Sequence, residues 1–488
     1  MMATHNKDKV LVIGLDGVSW NVLDNLIDAG LMPTLKSMKE TGIRGDLKSS
    51  IPPVTFPAWR CYSTGRDPSQ LGVYWWINVN FRESKFVVNN SRSFRGKDIW
   101  DYLSEKRLKS IIINMPGTYP VKKLNGILIA GPPNPSLGKS VYPPEMLNKL
   151  IAMSYKNMPG AKWSIDGAKV IKESRELQKQ QFKLALTLMK KYSWDFFQMT
   201  FILTDPILHY FWNYHENIKD SNDEITVELK KFWIELDYYI ERLIEVAGKD
   251  TYVFMISDHG MTKMKGKIYV NNILKQNGYL KLKNEKYLID KVISHLPKKQ
   301  VAQLMAKLHL LGIASKILQR LGMLEKFNPA VDIEITEELV NWDKTRAINM
   351  SDVVALIYTN KMRDREEDEL FNLLKTLKYD GKRVFDKVYY STDVYVSPKE
   401  DETPRIIAIP KEGYEVSPGL GSDIYKSSER DVWKATHIQK GFLLINGETI
   451  SAKKMDASIY DIAPTILSLL GIPEEEFRDG TVGQVLDI

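Results

Sequence analysis

Four apolar runs punctuate the first 258 residues, and each closes at or beside a polar or acidic residue. They span Lys9 to Gly17, Lys109 to Asn114, Phe196 to Asp205 and Thr251 to Asp258. The runs are continuous and rich in β-branched and aromatic residues, the pattern of strands buried on both faces of a parallel sheet. The intervening segments carry helical period instead. From Glu224 to Ala247, the residues Leu229, Phe232, Trp233, Leu236, Tyr239, Ile240 and Leu243 fall on one face. Strand alternating with helix predicts an α/β fold with an open, mainly parallel sheet covered on both sides. In such sheets reactive groups collect at the carboxyl ends of the strands, where Asp16, Asp205 and Asp258 stand.

The pattern changes between residues 275 and 430. A basic amphipathic stretch from Leu296 to Lys326 is followed by a loop and by short strands such as Asp352 to Thr359. This region is expected to be an inserted cap. The core pattern returns at Gly441 to Asn446 and closes with a helix from Asp461 to Leu470, started by Ala463-Pro464-Thr465 and stopped by Gly471-Ile472-Pro473. The expected division is therefore a catalytic core of residues 1–274 and 431–488, with the cap at 275–430. No internal repeat or low-complexity tract is visible.

Composition narrows the class. With 43% hydrophobic and 26% charged residues over 488 positions, the chain is an ordinary globular protein with ample core. Its single cysteine, Cys61, forms no internal disulfide, and no run of about twenty apolar residues is present. The apolar run near the amino terminus is too short for a signal-peptide core. The expectation is a soluble, cytoplasmic protein. The net charge of +7 is mild and scattered among acidic residues, which tolerates anionic substrates and gives no reason to expect nucleic-acid binding. Residues Pro297 to Leu308 form a basic amphipathic segment that either packs on the core as a solvated helix or touches an anionic membrane surface.

The candidate chemistry lies at strand ends. Asp258-His259-Gly260 directly follows an apolar run, so a carboxylate and an imidazole can reach one cation; the alternative is a surface turn. Asp205 and His209 are four apart, on one face of a helix that Pro206 helps to start. There, Asp205 either ligates a metal or merely caps the helix. Thr55 sits in Ile51-Pro52-Pro53-Val54-Thr55-Phe56-Pro57, at the start of a helix. It is either an N-cap or a hydroxyl placed where helix N–H groups favour phosphate. His437 is one of seven histidines, and packing is the alternative to ligation. Tyr74, Trp75 and Trp76 either stack a nucleobase, line a lipid or sugar pocket, or are ordinary buried aromatics.

Together these pieces resemble the alkaline phosphatase superfamily, in its type I phosphodiesterase and nucleotide pyrophosphatase branch. The matching motifs occur in the family's order: Gly14-Leu15-Asp16-Gly17, Pro52 to Trp59 with Ser63-Thr64-Gly65, Pro68 and Gly72, Thr204-Asp205-Pro206 with His209, Ser257 to Met261, Thr436-His437 with Gly441 and Gly447, and Asp461 to Leu467. The resemblance implies an alkaline-phosphatase-like core and two divalent metal ions, usually zinc, with manganese acceptable. Asp205, His209 and His437 would hold one ion; Asp16, Asp258, His259 and the Thr55 oxygen would hold the other. It further implies hydrolysis of a phosphorylated small molecule through a phosphorylated Thr55.

The chain also departs from the family. Where nucleotide pyrophosphatases place an asparagine donor, this sequence has Trp75-Trp76, with Asn78 nearby as a substitute, and Leu71 replaces the usual histidine before Gly72. Substrate contacts are therefore expected from Asn78, Trp75 and Trp76. Sulfatases require a Cys/Ser-x-Pro-x-Arg context that Cys61 lacks, and cofactor-independent phosphoglycerate mutases use serine where Thr55 stands. A phosphomonoesterase, a phosphonate hydrolase or a catalytically silent phospho-ligand binder stays open.

Overall fold

The structure is a computed structural model that describes residues 8–163, 166–283, 334–421, 423–429 and 431–488. The amphipathic stretch from Leu296 to Lys326 lies outside the described residues.

The four apolar runs form strands Lys9–Leu15, Ser110–Met115, Phe196–Phe201 and Thr251–Ile256. Joined by Gly126–Ala130, they make five consecutive parallel strands in the order Thr251–Ile256, Lys9–Leu15, Phe196–Phe201, Ser110–Met115, Gly126–Ala130. Continuous hydrophobicity follows from burial on both faces. Leu11, Ile13 and Leu15 enter one core layer, whereas Val10 and Val12 enter the other. Each such fully buried side chain contributes about 1.5–3 kcal/mol.

Helix Glu224–Ala247 begins at Asp223, whose carboxylate accepts from the N–H groups of Ile225 and Thr226. Its seven predicted apolar positions are all buried. With Gly167–Lys191 and Thr204–Glu216 it covers one sheet face, while Thr55–Thr64, Ile99–Glu105 and Ile462–Leu469 cover the other. Among the described residues no helix is long and apolar enough to cross a membrane.

Two features differ from the sequence reading. The terminal core strand, Lys440–Asn446, runs antiparallel between Ile43–Lys48 and Thr251–Ile256 rather than extending the parallel set. The last helix is shorter than expected, Ile462–Leu469, because a 3-10 turn at Ile459–Asp461 precedes it.

A second, antiparallel sheet comprises Ala347–Asn349, Ala355–Thr359, Ile406–Pro410 and Phe385–Tyr390, in that order. Its core includes Val54, Tyr74 and Trp75 from the main body. Tyr395 donates to the Ile51 carbonyl at 3.0 Å, and Tyr74 and Thr403 share a hydroxyl bond of 2.6 Å. The second sheet thus braces the loop that leads into Thr55.

Arg60 and Asp98 form an ion pair at 3.0 Å with side chains 4% and 0% exposed. Asp98 also accepts from Ser63 at 2.7 Å and from Lys122. Burial opposes its ionisation, but Arg60 and Lys122 outweigh it and hold the carboxyl below its ordinary value of 3.8. Its stabilising contribution is accordingly complete above that value and fades as pH falls through the lower, folded one. Asp98→Ala strands a buried guanidinium, so urea denaturation at neutral pH should show a loss of about 3–5 kcal/mol.

Candidate active site at the sheet edge

Three neighbouring parallel strands deliver the three carboxylates. Asp258 follows Thr251–Ile256, Asp16 follows Lys9–Leu15, and Asp205 is the second residue of the helix that follows Phe196–Phe201. Adjacent strands lie about 4.8 Å apart, so acids at their carboxyl ends converge without help from long loops. One helical turn adds His209. His437 arrives from the far end of the chain on Ala435–Ile438, which pairs antiparallel with Gly260–Lys263 and sets His437 opposite Met261.

Thr55 is the first residue of its helix, and the N-cap is Val54. The capping alternative therefore fails. Thr55 Oγ1 turns instead toward Asp16 Oδ1 at 3.3 Å and His259 Nε2 at 3.2 Å. Asp205 is not the cap of its helix either; that position is Leu203. Asp205 Oδ1 lies 3.5 Å from His209 Nε2, 3.4 Å from His437 Nε2 and 4.0 Å from His259 Nε2. Asp258 Oδ2 is 3.3 Å from His259 Nε2.

The outward-facing atoms of these groups are tied down. His209 Nδ1 lies 2.8 Å from the Ala435 carbonyl, His437 Nδ1 3.0 Å from that of Pro53, and His259 Nδ1 3.3 Å from that of Gly260. A carbonyl only accepts, so each Nδ1 carries a proton and, in the neutral ring, each Nε2 presents a lone pair. The Nε2 atoms of His209 and His437 face each other across 2.9 Å. Asp16 Oδ2 accepts from Trp59 Nε1 at 3.0 Å, and Asp258 Oδ1 accepts from the Gly17 N–H at 3.2 Å. Asp205 Oδ1 and Asp258 Oδ2 are buried without a hydrogen bond. Buried acceptors turned on one another repel unless a cation lies among them.

This donor set fits a divalent cation held by oxygen and imidazole ligands with hydrogen-bonded outer atoms. Two overlapping groups have donor atoms within 4.8 Å of one another: Asp205, His209 and His437, and Asp16, Asp205 and His259. The family resemblance assigned Asp205 to one group only, whereas its Oδ1 reaches both.

The protonation shifts follow burial at Asp16, Asp258, His209 and His259, and the charge of Asp205 at His437. Burial, then the charges of Asp258 and Asp205, push Asp16 well above the ordinary carboxylate range. Burial lifts Asp258 to about 7, pulls His209 down to about 4 and holds His259 well below its ordinary value. Burial also acts against the charged form of His437, but Asp205 outweighs it and raises the imidazole. His215 offers a contrast. Its Nδ1 faces the Phe211 carbonyl at 3.0 Å and its Nε2 accepts from Trp233 at 2.7 Å. That histidine is satisfied within the core.

Three groups to which the sequence reading gave no role belong to this site. Trp59 orients Asp16, and its ring occupies the space a side chain at Gly14 would need, 2.4 Å from a Cβ there. A glycine inside a buried strand marks such a close approach, and that was the available signal. Gly17 lies against Asp205 with φ +73°, a backbone conformation that residues with a side chain rarely adopt. Trp433 packs at a tilt against His209, ring centroids 4.2 Å apart. It also walls a cleft of about 340 Å³ lined by Lys267, Asp352, Glu415 and Asp431, which no sequence motif marked.

The expected substrate contacts sit close by in the chain but are differently engaged. Trp75 is buried in the core beneath the second sheet. Trp76 stacks on Phe56 at 4.4 Å. Asn78 donates its amide to the Gly72 carbonyl at 2.8 Å.

The sequence profile described as type I phosphodiesterase / nucleotide pyrophosphatase matches residues 10–435. The chain belongs to that family. The match ends two residues before His437, so the place of this histidine in the cluster rests on the structure.

Among curated proteins none matches the chain. Among solved structures, murine ectonucleotide pyrophosphatase/phosphodiesterase 5, inactive and in complex with AMP, is similar at 13% identity, TM-score 0.55 and 96% coverage of both chains. The human protein of the same name aligns at 14% identity and TM-score 0.54, again over 96% of both chains. Phosphonoacetate hydrolase from Sinorhizobium meliloti, in complex with phosphonoformate, aligns at 14% identity and TM-score 0.59, over 95% of this chain and 96% of that one. The fold is thus the alkaline-phosphatase-like α/β architecture, and the family places the chain among phosphoric ester hydrolases.

Trp59→Phe removes the donor to Asp16 while keeping most of the ring, and should weaken metal affinity about 10–100-fold by titration. His215→Ala should leave metal content unchanged yet cost about 1–3 kcal/mol of stability, because it orphans the Trp233 N–H.

Proposed function

We propose that this phosphoric ester hydrolase is a two-metal phosphodiesterase of the nucleotide pyrophosphatase type, with Thr55 as nucleophile. The observation that carries the reading is the convergence of three imidazoles and three carboxylates at one sheet edge, with the Thr55 hydroxyl against Asp16 and His259. Asp205, His209 and His437 would hold one ion, with Asp16, Asp258, His259 and Thr55 holding the other. The mixed oxygen and nitrogen donors suit Zn²⁺, and the carboxylate share admits Mn²⁺. When bound, such ions lower the pKa of a hydroxyl and neutralise charge on phosphoryl oxygens.

The residues of the chain supply the rest. Thr55 Oγ1 is held against Asp16 Oδ1 and His259 Nε2, and its proton passes to solvent as the oxygen attacks phosphorus. The bond from phosphorus to the leaving oxygen breaks as the bond to Thr55 forms, and the alcohol departs with a proton. Water then attacks the phosphorylated Thr55, releasing the monoester and restoring the hydroxyl. Placing Thr55 at the first position of a helix adds backbone N–H groups facing the phosphate.

The substrate would be a phosphorylated small molecule, with the aromatic residues Trp75 and Trp76 and the amide of Asn78 as candidate contacts. A phosphomonoesterase or phosphonate hydrolase is the second reading, because the same groups serve either reaction and phosphonoacetate hydrolase shares the fold. The chain's expected place is the cytoplasm, on the strength of its single cysteine.

Chelation should abolish hydrolysis, and added Zn²⁺ or Mn²⁺ should restore it; full turnover by thoroughly stripped protein excludes the mechanism. Thr55→Ala should stay folded and metal-loaded while losing turnover, and Thr55→Ser should retain part of the rate. Measuring rate, melting temperature and metal content together separates loss of the nucleophile from loss of the site. A diester with an aryl or nucleoside leaving group should exceed a simple monoester in kcat/KM; the opposite order moves the assignment to the second reading.

A further inference from the structure

The cleft of about 340 Å³ beside Trp433 adjoins the aspartate and histidine cluster. Trp433, partly exposed, lines it and packs against His209 with ring centroids 4.2 Å apart. Asp352 and Glu415 line it too, and both interact electrostatically with His437. Among the described residues, neither carboxylate belongs to a group that could hold a metal ion. The volume falls within the range of small-molecule sites, about 300–1,000 Å³.

The loop that presents Asp352 is held in a strained conformation. Val353, which follows it, is buried with φ +60°, a left-handed conformation that β-branched residues avoid. The Val354 N–H donates to the Asp352 carbonyl, closing a three-residue turn of a rare kind. Buried polar side chains fix this turn. Ser351 Oγ donates to the Val354 carbonyl at 2.6 Å, and Asn349 Oδ1 accepts from the Leu356 N–H at 2.9 Å. The Asn271 amide donates to the carbonyls of Asn349 at 2.6 Å and Pro418 at 2.7 Å. One buried side chain thereby ties the Asp352 loop to Pro418, which also lines the cleft. Backbone strain of this sort costs about 1–3 kcal/mol and persists only where the surroundings dictate it.

The polar groups of the cleft carry both signs. Asp431 lies 3.6 Å from Lys267 and 3.4 Å from Lys426. Burial pushes Asp352 well above the ordinary carboxylate range and raises Glu415 as well. An ammonium group entering here would meet Lys267, and a second anion would meet the carboxylates. A hydroxyl both donates and accepts, so a neutral group rich in hydroxyls can use carboxylate and ammonium together. The indole of Trp433 offers such a group an apolar surface with a polar surround.

We propose that this cleft receives a sugar or similar ring polyol esterified to the phosphate at the aspartate and histidine cluster, with Asp352 bonding its hydroxyls and Trp433 packing on its ring. This substrate class presupposes a metal-loaded phosphoester site at the cluster, the reading given above.

Calorimetric titration of the zinc-loaded full chain with glucose 6-phosphate, ethyl phosphate and 2-aminoethyl phosphate tests it, on a Thr55→Ala background so that no ester is turned over. Glucose 6-phosphate should bind at least about tenfold more tightly than ethyl phosphate, the scale of one hydrogen bond to a charged group. Asp352→Ala should erase that margin while the affinity for ethyl phosphate, the zinc content and the melting temperature hold. Asp352→Asn should keep part of the margin, because an amide oxygen still accepts from a hydroxyl. Equal affinity for glucose 6-phosphate and ethyl phosphate, a preference for 2-aminoethyl phosphate, or a margin that survives Asp352→Ala would overturn the proposal and leave the phosphoester reading standing. Failure of all three esters to bind would overturn both.

Discussion

Repulsion among buried acceptors is the constraint around which this protein is arranged. Asp16, Asp205 and Asp258 are brought to the edge of the sheet by adjacent strands, and three imidazoles turn their lone pairs into the same space. In isolation such an assembly would push itself apart. The fold resists by fixing each group through its other atom: Trp59 and Gly17 hold Asp16 and Asp258, and backbone carbonyls hold the histidines. A site built this way has little freedom to relax, and its affinity for a cation comes largely from what the scaffold forces together.

Rigidity of that kind must be supported from beneath. The five parallel strands are buried on both faces, so the ends that carry ligands are anchored in two core layers at once. The region of the second sheet serves Thr55 differently. By bonding to Ile51 and packing on Val54, it fixes the loop that delivers Thr55 to the other groups. Chemistry and scaffold meet in small residues. Gly14 gives Trp59 room to reach Asp16, and Gly17 makes a turn between two acids that no larger residue could follow.

Much of this is legible in the sequence because it is local. Continuous apolar runs identify the strands, the four-residue spacing of Asp205 and His209 identifies a shared helical face, and Asp258-His259 announces itself by following a strand directly. What stays hidden is relational. Nothing near Lys440–Asn446 says that it runs antiparallel or that it enters the middle of the sheet, since strand order is decided by partners hundreds of residues away. Trp59 reads as a core aromatic until its N–H is seen on Asp16. The reach of Asp205 into both ligand groups depends on distances finer than any residue pattern conveys.

The position of Lys440–Asn446 also bears on how the chain is made. A ribosome delivers Ile43–Lys48 early and Thr251–Ile256 midway, but these strands are separated in the finished sheet by one that emerges near the end of synthesis. Until then both present open edges, the kind of surface on which nascent chains pair wrongly with one another. His437 emerges just ahead of the missing strand. Completion of the sheet and completion of the aspartate and histidine cluster therefore fall within a few residues of each other, so a chain cut short before this point would carry exposed edges and an incomplete cluster.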